Sequence, residues 1–443
     1  MTECNSQIDL FSIGRRTVTA TFDDVRLTSD IGVSFLHRVD KRLGLSGRLA
    51  AALVDRRDSS KVRHSVRDLL MQRIALISAG YEDANDSTTL RHDPAFQLAL
   101  GRVPGETPLA SQPTVSRFEQ RSHRDLLALS NVLIDLWVER LKRKARKNKK
   151  RPRIILDFDS TDFITHGDQQ LNFFHGHYGN YIYYPVLVFD QDGFPVAAVL
   201  RSGSTRTGGV CAVLLRIMEK LSFALGNFDL LVRADAGFST PELYRLCDTM
   251  GIRYVVGPIT HKTLTERAAP WMAEARELFE QTGEPVRLIH DFQHRWGRKD
   301  GGLHRIIAKT EVTLLGENPR FLITNMTESP EQIYVTYTGR GQCENHIKEL
   351  KCAMLGDRMS CHAFAANQFR LLLHVAAYVL MFVLREELEV LSTIRMQLDT
   401  LRLRVLKVAA VVKVSARRIW LHLSAEHPSV SLFRYLGAAL TPT

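Results

Sequence analysis

Residues 154–159 read I-I-L-D-F-D, a short apolar run that closes on acids. β-branched and aromatic residues over so few positions predict a strand, with the acids at its carboxyl end. Asp157 and Asp159 stand two apart, so they share one face of it. Downstream, 181–189 and 196–200 predict two further strands joined by the turn Asp190-Gln191-Asp192-Gly193. A helix over 208–225 comes next, then L-L-V-R-A-D at 230–235, a strand that again ends on an acid. Helix 241–250 and strand 254–257 close the series.

A three-strand meander, a helix and a strand–helix–strand unit follow the order of a ribonuclease H-like α/β core. Segment 264–327 interrupts it, and 286–295, 303–313 and 320–326 predict strands of an inserted β domain. Alternation resumes with a helix from about 334, helices over 363–387 and 394–406, and a strand or ribbon at 408–423. Upstream of 150 the chain reads mainly as helix. Ser65 is placed to cap a helix through Val66, Leu69, Leu70, Ile74 and Ile77. A short helix at 92–100, a Gly/Pro turn at 101–108 and a helix opening at 110–117, with Pro113 in its first turn, outline a helix-turn-helix. Small polar residues and Arg117 suit DNA contact there, an ordinary helical hairpin being the alternative. A long helix over 123–147 ends in a basic run. Ten of the fourteen residues from Arg140 to Arg153 are lysine or arginine. Lying between two expected domains, the run is expected to contact a DNA backbone. The expected organisation is a helical DNA-binding region at 1–150, a catalytic core at 151–263 and 329–443, and a β insertion at 264–328.

At 443 residues the chain can bury more than one core. Lysine and arginine number 59 against 48 acids, a net charge of +11, which points to a polyanion and most simply to nucleic acid. No apolar run approaches the roughly 20 residues of a spanning helix. The start, M-T-E-C-N-S-Q-I-D-L, lacks a signal-peptide core, so a cytoplasmic, nucleoid-associated protein without membrane contact is expected. The six cysteines form no C-x-x-C pair, and His166, His175 and His177 do not sit in a zinc pattern. No phosphate-binding G-K-[ST] loop follows a strand, so no nucleotide is expected.

The second informative stretch is Y-T-G-R-G-Q-C-E-N-H-I-K-E-L-K, residues 337–351. On one helix, Arg340, Glu344, Lys348 and Lys351 would form a charged stripe, with Cys343, Ile347, Leu350 and Met354 opposite as an apolar face. Charge spacing alone would mean a solvated surface. Two strand-end acids upstream change that weighing, because phosphoryl transfer on two metal ions needs carboxylates converging from different elements. Asp159, Asp235 and Glu344 supply them, and magnesium and manganese favour such oxygen ligands.

At this point the chain resembles bacterial insertion-sequence transposases of the DDE class, in the branch with a Y-R-E-K signature, and within it the group numbered thirteen-eighty. Tyr337, Arg340, Glu344 and Lys351 match the signature's spacing without a gap. Asp159-Ser160-Thr161 matches the first acid's setting, and Val232-Arg233-Ala234-Asp235-Ala236-Gly237 the second. The resemblance implies an α/β, ribonuclease H-like catalytic core interrupted by a β-strand insertion. It implies two Mg²⁺ or Mn²⁺ ions on Asp159, Asp235 and Glu344, with Asp157 competing for the first place. Tyr337, Arg340, Lys348 and Lys351 would hold DNA phosphates. Trp296 and Arg298 are candidates for stacking on a flipped base, with packing in its own sheet as the alternative for Trp296. Terminal inverted repeats, target DNA and a second copy of the chain are the expected partners. A ribonuclease H-like nuclease without strand transfer, and a catalytically inactive DNA-binding protein, stand as the competing functions.

Overall fold

The computed structural model describes residues 7–21, 25–120, 122–148, 151–205, 208–295, 302–391 and 395–440. Its centre is one large sheet. Numbered in chain order, its main strands are β1 (Arg153–Ser160), β2 (Val186–Asp190), β3 (Pro195–Val199), β4 (Asp229–Ala234), β5 (Arg253–Val256), β6 (Val286–Arg295), β7 (Leu303–Thr313) and β8 (Arg320–Thr324). They lie in the order β6-β7-β8-β5-β4-β1-β2-β3. β4 runs parallel to β1 and β5 parallel to β4, whereas β2 and β3 return antiparallel. The β1 and β2 strands are buried almost throughout because both faces are covered. The parallel pairs need crossovers, which helices Val210–Leu225 and Pro241–Met250 supply.

Several expectations change here. The segment read as an insertion opens with a 21-residue helix, Lys262–Thr282, which continues through Pro270. Its strands do not form a sheet of their own. β8 pairs with β5, so β6, β7 and β8 extend the central sheet. The stretch 181–189 is two strands, because Tyr184-Pro185 breaks it. Asn180–Tyr183 joins a small separate sheet with Phe163–Ile164 and Phe173–His175. The first residues are not all helical, since Gln7–Ile13 and Arg16–Thr21 form an antiparallel hairpin about Gly14. Segment 408–423 is a ribbon as expected, a hairpin of Ala410–Val414 with Ile419–His422, and it also pairs with Leu27–Thr28. Helix 394–406 shortens to Leu398–Leu401 followed by a wider turn over Arg402–Leu406.

Around the sheet the helices share one hydrophobic core, reaching from Val33 and Leu70 through Trp137 and Leu156 to Phe382 and Leu440. Helix Val66–Ala79 starts at Ser65 with a reciprocal cap, Ser65 accepting from the Asp68 amide while Asp68 accepts from that of Ser65. It is buried along nearly its whole length and packs on the 26-residue helix Phe364–Glu389. Helix His123–Asn148 is tied down by its own basic end. Arg140 is buried and reaches Asp192 at 2.9 Å and Glu386 at 2.5 Å, while the Trp137 indole donates to Asp190 at 2.9 Å. Lys144 pairs with Asp192 at 2.6 Å. Arg140 is thus held inside the molecule, whereas Lys144 keeps about half of its side chain exposed while paired with Asp192. Arg143, Arg146 and Lys147 remain exposed.

Candidate active site

Strand register assembles the first half of the site. β1 and β4 pair Asp157 with Arg233 and Phe158 with Ala234. One residue further on come Asp159, still within β1, and Asp235, the first residue past the end of β4. Asp157 and Arg233 meet as a buried two-pronged ion pair, at 2.6 and 2.7 Å. Burial pushes the Asp157 carboxyl up, and Arg233 opposes that. Asp157 therefore has a structural partner, while Asp159 opens toward the cleft.

Each of the two acids has one oxygen fixed by backbone. Asp159 Oδ1 accepts from the Ser160 amide at 2.8 Å, and Asp235 Oδ1 from the Gly237 amide at 3.0 Å. Their other oxygens face the same group. Arg340 Nη2 lies 2.9 Å from Asp159 Oδ2 and 3.7 Å from Asp235 Oδ2, and its Nη1 lies 3.5 Å from Glu344 Oε1. One guanidinium thus sits among three carboxylates drawn from positions 159, 235 and 344. Burial raises the Asp159 carboxyl to about 7, Arg340 holding it down and Asp235 pushing it further up. Asp235 is raised as well, by burial against the pull of Arg340. Burial works against the charge on Arg340, but Asp159, Tyr337 and Asp235 together outweigh it and raise the guanidinium above its ordinary value.

The helix that brings Arg340 and Glu344 is not continuous. Helix Pro330–Thr338 stops and Gly341–Lys348 starts anew, with Arg340 at its N-terminal boundary; a wider turn follows over Glu349–Ala353. Tyr337 therefore belongs to the first helix and Lys351 to the turn, so the single stripe becomes three short pieces. The apolar side holds as expected: Cys343, Ile347, Leu350 and Met354 are all buried. The break is where Gly339 packs under Arg233, whose Nη1 would lie 2.5 Å from any Cβ there. That same nitrogen donates to the Thr336 carbonyl at 2.8 Å, tying the break to the strand pair.

Exposure differs sharply within the acid set. The Asp159 side chain is 7% exposed, Asp235 33% and Glu344 68%, so two acids form a fixed floor and the third an adjustable wall. Two clefts meet over them. One, of about 470 Å³, is lined by Asp159, Thr161, Glu344, Lys348 and Lys351. The other, of about 740 Å³, is lined by Asp235, Arg320, Tyr334, Tyr337, Arg340 and Glu344. Lys351 is held at the first by Asp162, through the carbonyl at 2.8 Å and the carboxylate at 3.1 Å. Lys348 is exposed on its rim. Tyr337 stands over Gly257, so close that a Cβ at Gly257 would meet its hydroxyl at 2.5 Å.

The donor set is all carboxylate oxygen, which suits hard divalent cations. It also converges on a positive group, so the pocket is complementary to a cation. Among the described residues, no three ligating side chains close on a single point, since the acids are spread around the guanidinium. Sequence reasoning passed over Arg233, although a charge in the middle of a buried strand always requires a partner. It also passed over Arg201, which donates to the Ser160 hydroxyl beside Asp159 at 2.9 Å. Trp296 and Arg298, the candidates for base stacking, lie outside the described residues. In the expected helix-turn-helix, the first helix is Pro94–Ala99, only six residues, and the second is Gln112–Glu119. Among the described residues no helix is long and apolar enough to cross a membrane.

A family model described as transposase DDE domain group 1 matches residues 11–443. No curated protein is similar enough in sequence to count as a relative. Among solved structures, the piggyBac transposase synaptic complex with hairpin DNA resembles the chain at a TM-score of 0.41. Identity is 13%, over 86% of this chain and 80% of that one. So distant a likeness carries no argument about function.

Proposed function

The chain belongs to the transposase DDE domain group 1 family, and from that premise we propose that it is an insertion-sequence transposase of the Y-R-E-K branch. It binds the terminal inverted repeats of its element, cleaves the ends and joins them to target DNA. The observation that carries this reading is that Asp159, Asp235 and Glu344 are arranged around one guanidinium, that of Arg340, within 3.7 Å of all three. The sheet order β3-β2-β1-β4-β5, with β2 alone antiparallel to both its neighbours, supports a ribonuclease H-like core. The expected division into a DNA-binding region, a two-part core and an insertion belongs to the same proposal, as do double-stranded DNA and a second copy of the chain as partners.

Asp159, Asp235 and Glu344 are the residues that would hold two Mg²⁺ or Mn²⁺ ions. When bound, such ions activate the attacking oxygen and stabilise the leaving one. The chain's own groups do the rest. Ser160 and Gly237 amides fix Asp159 and Asp235 so that each offers one oxygen in a set direction. Exposed Glu344 closes the set from the far side. A DNA strand crossing the acids would place phosphates in both clefts, on Lys348 and Lys351 at one side and on Tyr337 and Arg340 at the other. Arg340 suits two-pronged phosphate recognition, and Lys351 acts as a point charge.

The test combines purified protein, Mg²⁺, a duplex carrying the sequence that brackets the gene, and a target plasmid. Joined products are expected. Glu344→Gln should abolish both cleavage and joining, a loss of at least three decades of rate or about 4 kcal/mol. Lys351→Ala should slow end cleavage by about 10–100-fold, roughly 1.4–2.7 kcal/mol, while leaving Mn²⁺ affinity within twofold. Cleavage without joining would leave a nuclease, and binding unaltered by Glu344→Gln with no cleavage by the parent protein would leave an inactive binder.

A further inference from the structure

Arg233 carries a full charge inside a buried strand, and its side chain and that of Asp157 are only 8% and 4% exposed. All three guanidinium nitrogens donate. Nε and Nη2 bond the two Asp157 oxygens at 2.6 and 2.7 Å, and Nη1 bonds the Thr336 carbonyl at 2.8 Å. One group therefore joins three elements: β1, β4 and the end of helix Pro330–Thr338. Each joined position stands a short step before a residue of the acid centre. Asp159 follows Asp157 by two residues, Asp235 follows Arg233 by two, and Arg340 follows Thr336 by four.

Folding alone does not require a charge here. Two residues back on the same strand faces stand Ile155 and Leu231. Leu231 is buried in a cluster with Val255, Ile307 and Ile333, and Ile155 and Tyr337 pack against it. Apolar side chains at 157 and 233 would continue that cluster, and such a replacement of a buried ion pair is often neutral or stabilising. What apolar contact lacks is direction. It cannot by itself fix how helix Pro330–Thr338 is set on the sheet. The Thr336 carbonyl is among the last four of that helix, which the helix leaves without donors of its own. The Arg340 amide bonds the Tyr337 carbonyl instead, at 2.9 Å. Arg233 takes the Thr336 carbonyl and so sets where the helix stops. Gly339 preserves the contact. Its φ of −59° suits any residue, yet a Cβ there would meet Arg233 Nη1 at 2.5 Å. The guanidinium, and not the backbone, requires this glycine.

We propose that Arg233, held by Asp157, is a positioning residue of the acid centre. It fixes the spacing of Asp159, Asp235 and Arg340 by tying the strands that carry the two acids to the helix end that leads into Arg340. The proposal rests on the transposase reading for the reaction that these residues serve. Arg233 acts through residues two and four positions further along, and a displacement of about 1 Å at a reacting centre costs on the order of 100-fold in rate.

The experiment compares three variants of the full chain with the parent. It reads the thermal midpoint, the Mn²⁺ affinity from the electron paramagnetic resonance of the free ion, and the rate of end cleavage at saturating duplex. Asp157→Leu/Arg233→Met removes the pair without leaving either charge alone, so its midpoint should stay within about 3 °C of the parent. Its Mn²⁺ affinity should still fall about tenfold and its cleavage rate about 100-fold. Arg233→Lys keeps a charge opposite Asp157 but, as a point charge, cannot hold two carboxylate oxygens and the carbonyl together, and should cleave about tenfold more slowly. Gly339→Ala leaves both partners in place and should slow cleavage about tenfold at an unchanged midpoint, which keeps the test decisive if the double variant does not fold. A folded double variant with the metal affinity and rate of the parent would overturn the proposal, and so would a folded Gly339→Ala variant with the rate of the parent. A parent that cleaves no duplex would sink the transposase reading. The metal affinities would then decide the positioning role alone, a loss in a folded variant upholding it and parental affinity throughout overturning it.

Discussion

Asp159 is the residue on which the candidate site turns. Its neighbours pull in opposite directions, burial and Asp235 disfavouring the anion and Arg340 favouring it, with the outcome at about 7. A carboxyl whose folded pKa lies above its unfolded value near 3.8 binds protons more tightly in the folded state. Stability it contributes is therefore present at low pH and is lost as pH rises toward 7. Without divalent metal, the thermal midpoint should fall between pH 5 and pH 7.5, and Asp159→Asn should flatten that slope in differential scanning calorimetry. Affinity for Mn²⁺ should move the other way, climbing up to tenfold per pH unit below about 7 and levelling above it, because the ligand must be ionised. A metal affinity independent of pH in that window would remove Asp159 from the ligand set. The residue's identity was legible beforehand, since an acid ending an apolar strand stands out. Its distinction from Asp157 was not, because both share a face and the choice depends on Arg233, a partner 76 positions away.

At the scale of elements, the helix Gln112–Glu119 shows how a short piece is held in place. Eight residues cannot sustain a helix alone, and the buried Arg73–Glu119 pair anchors its last turn. Glu119→Ala would leave Arg73 buried with its charge uncompensated, although two of its nitrogens still donate to the Asp83 and Glu82 carbonyls. The expected cost is about 3 kcal/mol, read from the denaturant midpoint at unchanged slope; a loss below 1 kcal/mol would mean that the carbonyls suffice. Most elements of the central sheet could be read from strand-length apolar runs. Those that could not share a cause. The hairpin Gln7–Ile13 with Arg16–Thr21 carries Ile8, Leu10, Phe11 and Ile13, but all four are exposed, so it joins no core that a burial pattern could mark. Helix Lys262–Thr282 carries Pro270, which by local rules should end it. The break at Gly339-Arg340-Gly341 was signalled by two glycines, yet the i, i+4 spacing across it concealed them. The meeting of Arg340 with two distant acids, Asp159 and Asp235, is a tertiary fact that no spacing encodes.

For the whole molecule, the decisive feature is that one hydrophobic core serves residues before and after 150. Leu129, Leu133 and Trp137 of helix His123–Asn148 belong to the core that includes Leu156 and Val188, and Arg140 is clamped between the turn after β2 and Glu386. A fragment spanning 151–443 would expose that apolar surface and leave Asp190 and Glu386 without these partners. It should fail to give a cooperative thermal transition, whereas the full chain should give one. A folded, soluble fragment with a dispersed amide spectrum would show that the core divides after all.

The same long-range closure has a consequence in time. Asp159 and Glu344 are separated by 185 positions of sequence, and synthesis at roughly 5–20 residues per second delivers them on the order of 10–40 s apart. The clamp on Arg140 waits longer still, for Glu386. Through that interval a ribosome-bound chain carries Asp159 and, later, Asp235 without Glu344, and helix Val66–Ala79 still lacks the helix Phe364–Glu389 on which it packs.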